Sequence, residues 1–256
     1  MKLFLLSLAF LASVVYVTAA EDGYQLSESI TNCDQEDPNL NECVKKAMQD
    51  FWATFHKGNN DYGVPPLDPF TLPDQRFDFN ILGGIHGSLA LKGVKFYGAS
   101  RATIEKTDVG IKDDGSSLDI ELFLPRIFAE GKYKANVNIN DFKMNPKGYF
   151  NVTMADIRVT ATMSGKFKTI EGEKHLLLDQ FDANMDSGDM KFYASGLLPD
   201  PQLNNVALDL VNQYWSEILR IGIPETKDQW APVFIDAINQ FLLAVPFDKL
   251  LSRKLQ

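Results

Sequence analysis

The chain has no run of lysine or arginine, two cysteines, three histidines, and no long apolar stretch after residue 17. Each scarcity excludes something. With 25 basic against 34 acidic residues, the formal charge is −9. Neither nucleic acid nor an anionic lipid face then finds the basic surface that sequence-independent binding needs. No Gly-x-Ser-x-Gly elbow, Walker loop, His-Glu-x-x-His or EF-hand loop occurs, so the common nucleophile, phosphate, zinc and calcium chemistries lack their frameworks. His56, His86 and His175 are scattered, and no metal site or cofactor is expected. The stretch Gly83-Gly-Ile-His-Gly87 lacks dinucleotide spacing and is followed by strand-like alternation, which makes it a turn. Asp113, Asp114, Asp182, Asp186 and Asp189 mostly adjoin glycine or serine, as exposed turn carboxylates do. No pair among them is singled out for glycoside chemistry. No catalytic residue is assigned, and the chain is not read as an enzyme.

At the N-terminus stand Lys2, an apolar run over residues 3–17, then Thr18-Ala19-Ala20 before Glu21-Asp22. That order reads as a secretory signal peptide cleaved after Ala20, because a spanning helix needs about 20 apolar residues. The expected organisation is a leader over 1–20 and one domain over 21–256, secreted and extracellular. Loss of Lys2 leaves the mature chain one charge more acidic. In an oxidising compartment Cys33 and Cys43 are read as a structural disulfide. The short loop they close contributes about 2–3 kcal/mol in the chain-entropy model.

Periodicity then divides the chain. Leu40, Val44, Ala47, Met48, Phe51, Trp52 and Phe55 recur at three- and four-residue steps and predict a helix over 37–55, capped at Asp37-Pro38 or by a box from Asn39 to Glu42. Prolines and glycines over 58–73 predict an ordered extended connector. From about 76 to 194 the period is two: Phe77, Phe79 and Ile81; Leu118, Ile120, Leu122 and Leu124; Tyr133, Ala135, Val137 and Ile139. These are antiparallel strands with one buried face. The strand through Phe150, Val152 and Met154 changes phase before Ile157 and Val159, as one extra residue in a bulge near Ala155-Asp156 would make it do. Helical spacing returns over 203–221, with Val206, Leu210, Tyr214, Ile218 and Ile221 on one stripe, stops at Gly222-Ile-Pro224, and resumes over 228–245. Stripes this broad are expected to bury a wide face against the sheet. A long bent sheet closed over helices leaves an elongated apolar interior, so the pattern points to a tunnel for a hydrophobic ligand. Asn151-Val-Thr153 is an N-glycosylation sequon on the polar face of a predicted strand.

Several segments together resemble the insect takeout and juvenile hormone binding protein family. They are the paired Cys33 and Cys43, the connector Tyr62-Gly-Val-Pro-Pro-Leu-Asp-Pro-Phe70, the strand Lys92-Gly-Val-Lys-Phe-Tyr-Gly-Ala-Ser100, the run Leu124-Pro-Arg-Ile-Phe-Ala-Glu-Gly-Lys-Tyr133, and the C-terminal helices. The resemblance implies an α+β tubular lipid-binding fold, a long, highly curved antiparallel sheet wrapped around a long helix with a hydrophobic tunnel. It also implies a secreted carrier of juvenile hormone or another long apolar molecule, in a family linked to feeding, circadian output and chemosensory tissues. Hormone binders carry a second disulfide; no cysteine follows Cys43, which places the chain nearer the takeout branch. Candidate tunnel residues are Phe96, Leu122, Tyr133, Val137, Met154, Trp215, Trp230 and Phe234, each of which is equally a reasonable core residue. The expected partner is a hydrophobic small molecule bound by a monomer, with neither nucleic acid nor stable membrane insertion. The alternative is a signalling protein that acts through a cell-surface receptor with its tunnel filled.

Overall fold

The computed structural model describes residues 30–59, 64–81 and 84–252; residues 1–20, expected to be a leader, and Tyr62, Gly63 and Gly83 lie outside the described residues. In chain order the elements are β1 (Cys33–Asp34), α1 (Leu40–Phe55), β2 (Phe70–Leu72), β3 (Gln75–Ile81), β4 (Ile85–Tyr97), β5 (Thr103–Ile111), β6 (Gly115–Ile139) and β7 (Phe142–Met144). There follow β8 (Lys147–Ile170), β9 (Glu173–Asp186), β10 (Asp189–Ala194), α2 (Pro201–Gln213), α3 (Trp215–Glu225), α4 (Lys227–Ala244), α5 (Phe247–Leu250) and β11 (Leu251–Ser252).

Strands β2 to β10 make one nine-stranded sheet along the path β10-β8-β6-β4-β2, with β3 beside β4, β5 and β7 beside β6, and β9 beside β8. Its spine is the antiparallel pair β6 and β8, 25 and 24 residues long. At about 3.3 Å per residue each would span roughly 80 Å if straight, and strands that long do not stay flat under sheet twist.

The two strands turn over together at one point. Inward positions on β6 are even through Ile120, Leu122 and Leu124, then odd at Ile127, Ala129 and Tyr133. On β8, Met154 and Ile157 both face the core. Yet Leu124 pairs with Ile157 and Arg126 with Ala155 in a single register, so no residue is inserted. This corrects the expected bulge. Asp156 adopts φ 52° opposite Pro125, which has no N–H to give the ladder, and both strands reverse their faces there. The break divides the molecule into a half built on β5, β6, β8 and β9 and a half built on β3, β4, β6, β8 and β10. Met154, Ile157 and Met190 fill the joint, with Trp215 and Leu219 of α3 packed on them.

Helices cover the concave side. Helix α1 lies on β5 and α4 on β9, and Phe51 meets Phe241 edge-on at 5.1 Å between them. The Cys33–Cys43 disulfide forms, with Cα atoms 5.8 Å apart. Because β1 pairs in parallel with β11, that bond fastens α1 to the C-terminal strand. The capping box does not form: Asn39 makes no side-chain cap, and its own N–H donates to Asp37 Oδ1 at 2.8 Å.

The single helix expected over 203–221 is instead two, meeting at Tyr214 (φ −110°, ψ 20°), and α3 runs on through Gly222-Ile-Pro224 to Glu225. Pro224 sits in the last turn, where its missing N–H removes one bond without ending the helix.

Candidate ligand-binding surface

A wrapped sheet has free edges, which need partners or cover. Here side-chain amides supply them. Gln49 of α1 accepts from Ile104 N (2.9 Å) and donates to Ala102 O (3.2 Å) at β5. Asn212 of α2 accepts from Phe192 N (2.7 Å) and donates to Phe192 O (2.9 Å) on β10. Gln229 of α4 does the same for Asp78 on β3 at 2.7 and 2.8 Å, and Asn239 for Leu178 on β9 at 2.8 and 3.0 Å. Each amide stands in for one residue of a missing strand. The tube is therefore closed by helices hung on four edge strands. Sequence reasoning missed all four residues; their only signal was an amide set in an otherwise apolar helical pattern.

The interior of the second half is apolar: Tyr133, Ala194 and Leu208 form a buried cluster joined by Leu89, Leu91, Phe150 and Phe192. The Tyr133 hydroxyl donates to Ser195 O at 3.0 Å, and burial raises its pKa. Beside the joint a cleft of about 300 Å³ opens between the end of β9 and α3, with Met185, Trp215, Leu219 and Ile223 in its walls and Asp186 and Arg220 among its polar groups. A second, of about 250 Å³, lies where β5, β6, β8 and β9 meet and is lined largely by polar groups such as Lys112, Asp114 and Asp179.

The apolar stripe of α2 and α3 does not bury itself. Leu203, Val206, Leu210, Tyr214, Ile218 and Ile221 are all between 42 and 57% exposed, which corrects the expectation that this stripe packs on the sheet. At 3.6 residues per turn, Val206 and Leu210 lie about 160° around α2 from Leu208. The face that does pack is carried by Leu208, Asn212, Trp215 and Leu219. Polar Asn212 wins the contact with β10 because an edge strand offers backbone donors and acceptors that no aliphatic side chain can satisfy.

The structure distributes the candidate tunnel residues over several clusters. Met154 and Trp215 come together at the joint. Trp230 and Phe234 meet around Phe181, at 6.0 and 5.3 Å, with Phe234 still exposed. Leu122 packs into the first half with Ile104, Ile120 and Ala161, Tyr133 into the second. Phe96 sits beside Phe70 at 6.4 Å on the β2 edge, and Val137 lies on β6 opposite Gly87 and Met144 near the far end. Asn151 stands on β8 opposite Glu130 and Tyr193, half-buried.

Asp68 and His175 have structural partners. Asp68 of the connector accepts from Gly98 N (3.0 Å), Ser100 N (3.4 Å) and Ser100 Oγ (2.5 Å), so that motif locks the chain to the turn after β4. Burial alone would raise the Asp68 pKa, but these donors and Arg101 outweigh it and hold it below the ordinary value. Buried His175 is engaged through Nδ1 with Leu242 O at 3.0 Å. Among the described residues, no group of three or more His, Cys, Asp or Glu could hold a metal, and no helix is long and apolar enough to cross a membrane.

A bent antiparallel sheet closed by helices over an apolar interior is the architecture of the tubular lipid-binding fold. The chain belongs to the haemolymph juvenile hormone binding protein family, whose profile matches residues 8–252. It is 21% identical over 262 residues to the circadian clock-controlled protein daywake of Drosophila melanogaster, covering 99% of this chain and 98% of that one. The crystal structure of Takeout 1 from Epiphyas postvittana superposes with a TM-score of 0.70 at 23% identity, over 87% of this chain and all of that one.

Proposed function

We propose that this protein is a secreted, monomeric carrier that reversibly binds one long hydrophobic molecule, a lipid or terpenoid, after loss of residues 1–20 leaves 21–256 as a single domain. The observation that carries this reading is the exposed stripe of α2 and α3. Six apolar side chains at helical spacing, open to water in a protein without a membrane-spanning helix among its described residues, mark a surface that a cargo covers. Family membership supports the same class of cargo. Phe96, Leu122, Tyr133, Val137, Met154, Trp215, Trp230 and Phe234 are proposed as a second apolar site, the interior, into which a cargo collected on that outer stripe passes.

The energetics favour a long ligand. Burying about ten methylene groups yields roughly 8 kcal/mol, against an association cost on the order of 4–15 kcal/mol. Micromolar binding therefore needs an extended chain and a preformed surface. Organic extraction followed by native mass spectrometry should reveal a copurifying apolar compound, and a fluorescent fatty-acid probe should be displaced by it. Leu210→Glu with Ile218→Glu should weaken probe binding at least tenfold while leaving the melting temperature unchanged. Failure of any probe or extracted compound to bind would sink the reading.

The same exposed stripe suits a second reading, a signalling protein whose receptor covers it. Full activity of delipidated protein in a tissue assay, lost on the same two substitutions, would favour that reading over the carrier.

A further inference from the structure

Lysines that are far apart in the chain meet on the outer face of the second half. Across adjacent strands Lys92 stands directly opposite Lys132, and Lys134 directly opposite Lys147. Lys143 of β7 lies on the same face, opposite Asn138. All five are exposed, and among the described residues no ion pair reaches any of them. Like charges directly opposite each other destabilise a sheet. Two such pairs side by side, in a chain with an excess of acids, are costly as structure alone.

The acids on this face are already engaged or lie at its rim. Glu130 accepts from the Tyr97 and Tyr149 hydroxyls, and Asp78 pairs with Arg76 at 3.6 Å. Asp141 sits in the β6–β7 turn. At that turn the apolar inner wall runs out into solvent: Phe142 is 75% exposed and faces Ile139, 37% exposed, across the hairpin. Ile85 continues the row on β4.

We infer that this end of the tube, the Phe142–Ile139 wedge with Lys92, Lys132, Lys134, Lys143 and Lys147 behind it, docks on the surface of an anionic lipid bilayer. Apolar side chains entering the interface and lysines over anionic headgroups are the two terms that hold peripheral proteins on membranes. The wedge continues the inner wall, so a docked protein offers an apolar path between bilayer and interior. This inference stands on the outer face and the tip and does not depend on which cargo the interior holds.

The test is cosedimentation of the full mature chain with vesicles of phosphatidylcholine alone or with about 30% phosphatidylserine, near 100 mM salt, where exposed charges still act over about 10 Å. An Asn151→Gln background keeps any glycan off the same face. Binding to the anionic vesicles and not the neutral ones is expected. Each lysine removed near an anionic leaflet lowers partitioning about fivefold, so Lys134→Glu with Lys147→Glu should cut it by more than tenfold. Phe142→Ser should cut it about tenfold through lost apolar contact. These side chains are exposed, so the melting temperature serves as the folding control. Lys166→Glu with Lys168→Glu, on β8 in the other half, should change nothing. Equal binding to both vesicles, no binding to either, capture by heparin without vesicle binding, or an equal loss from the Lys166 and Lys168 pair would each overturn the inference.

Discussion

Asn212 on α2 joins Phe192 on β10 as one strand joins another, taking its N–H at 2.7 Å and giving to its carbonyl at 2.9 Å. The helix thus completes the sheet while its aliphatic stripe is left free. Asn212→Ala should cost about 2 kcal/mol in urea unfolding, since it leaves a partly buried donor and acceptor without partners. Exposed Asn205→Ala in the same helix should stay within about 0.5 kcal/mol. Equal effects would show that the amide is not holding the edge.

The paired strand break rests on Asp156 at φ 52°. Asp156→Gly should shift stability by no more than about 0.5 kcal/mol, because glycine takes that conformation freely. Asp156→Val should lose about 1–2 kcal/mol, because a β-branched side chain crowds the backbone there. Thermal melts of the two variants side by side read this directly.

Asp68 gives a pH dependence with a definite sign. Its pKa is lowered in the folded state, so its contribution is fully present above the unfolded value of about 3.9 and disappears as pH falls through the lower folded value. Wild-type stability should fall below about pH 4, and Asp68→Asn should flatten that limb while lowering stability at neutral pH. An unchanged acid limb would remove Asp68 from the account.

Cys33→Ser with Cys43→Ser should lower stability by about 2–3 kcal/mol, the chain-entropy value for a short loop. Amide hydrogen exchange should rise first at β1 and β11, because Cys33 pairs with Leu251 and the disulfide fastens that end.

Much of the fold was legible in the sequence because local spacing encodes it. Strand alternation, the turn carboxylates Asp113 and Asp114, the helix of Leu40 to Phe55 and the cysteine pair all depend on neighbours a few residues away. The family resemblance supplied the wrapped architecture. Reading the stripe of Val206, Leu210 and Tyr214 as the buried face failed for a physical reason: periodicity reports that a helix has an apolar side, and the free backbone of an edge strand chose the side carrying Asn212. The bulge expected at Ala155-Asp156 failed similarly. A phase change in one strand has the same appearance whether a residue is inserted or its partner reverses with it, and only the pairing of Leu124 with Ile157 and of Arg126 with Ala155 distinguishes them.

By itself the sequence determined most of the strand and helix segments, the disulfide and an apolar interior, all consequences of residue chemistry at short range. Only the tertiary structure decided which helix faces stay open, which amides close the sheet, and where charge collects. The absence of any basic run argued against an anionic partner, yet five lysines from β4, β6, β7 and β8 converge on one outer face. Charge acts through space, and strand pairing brings together residues that the chain keeps tens of positions apart.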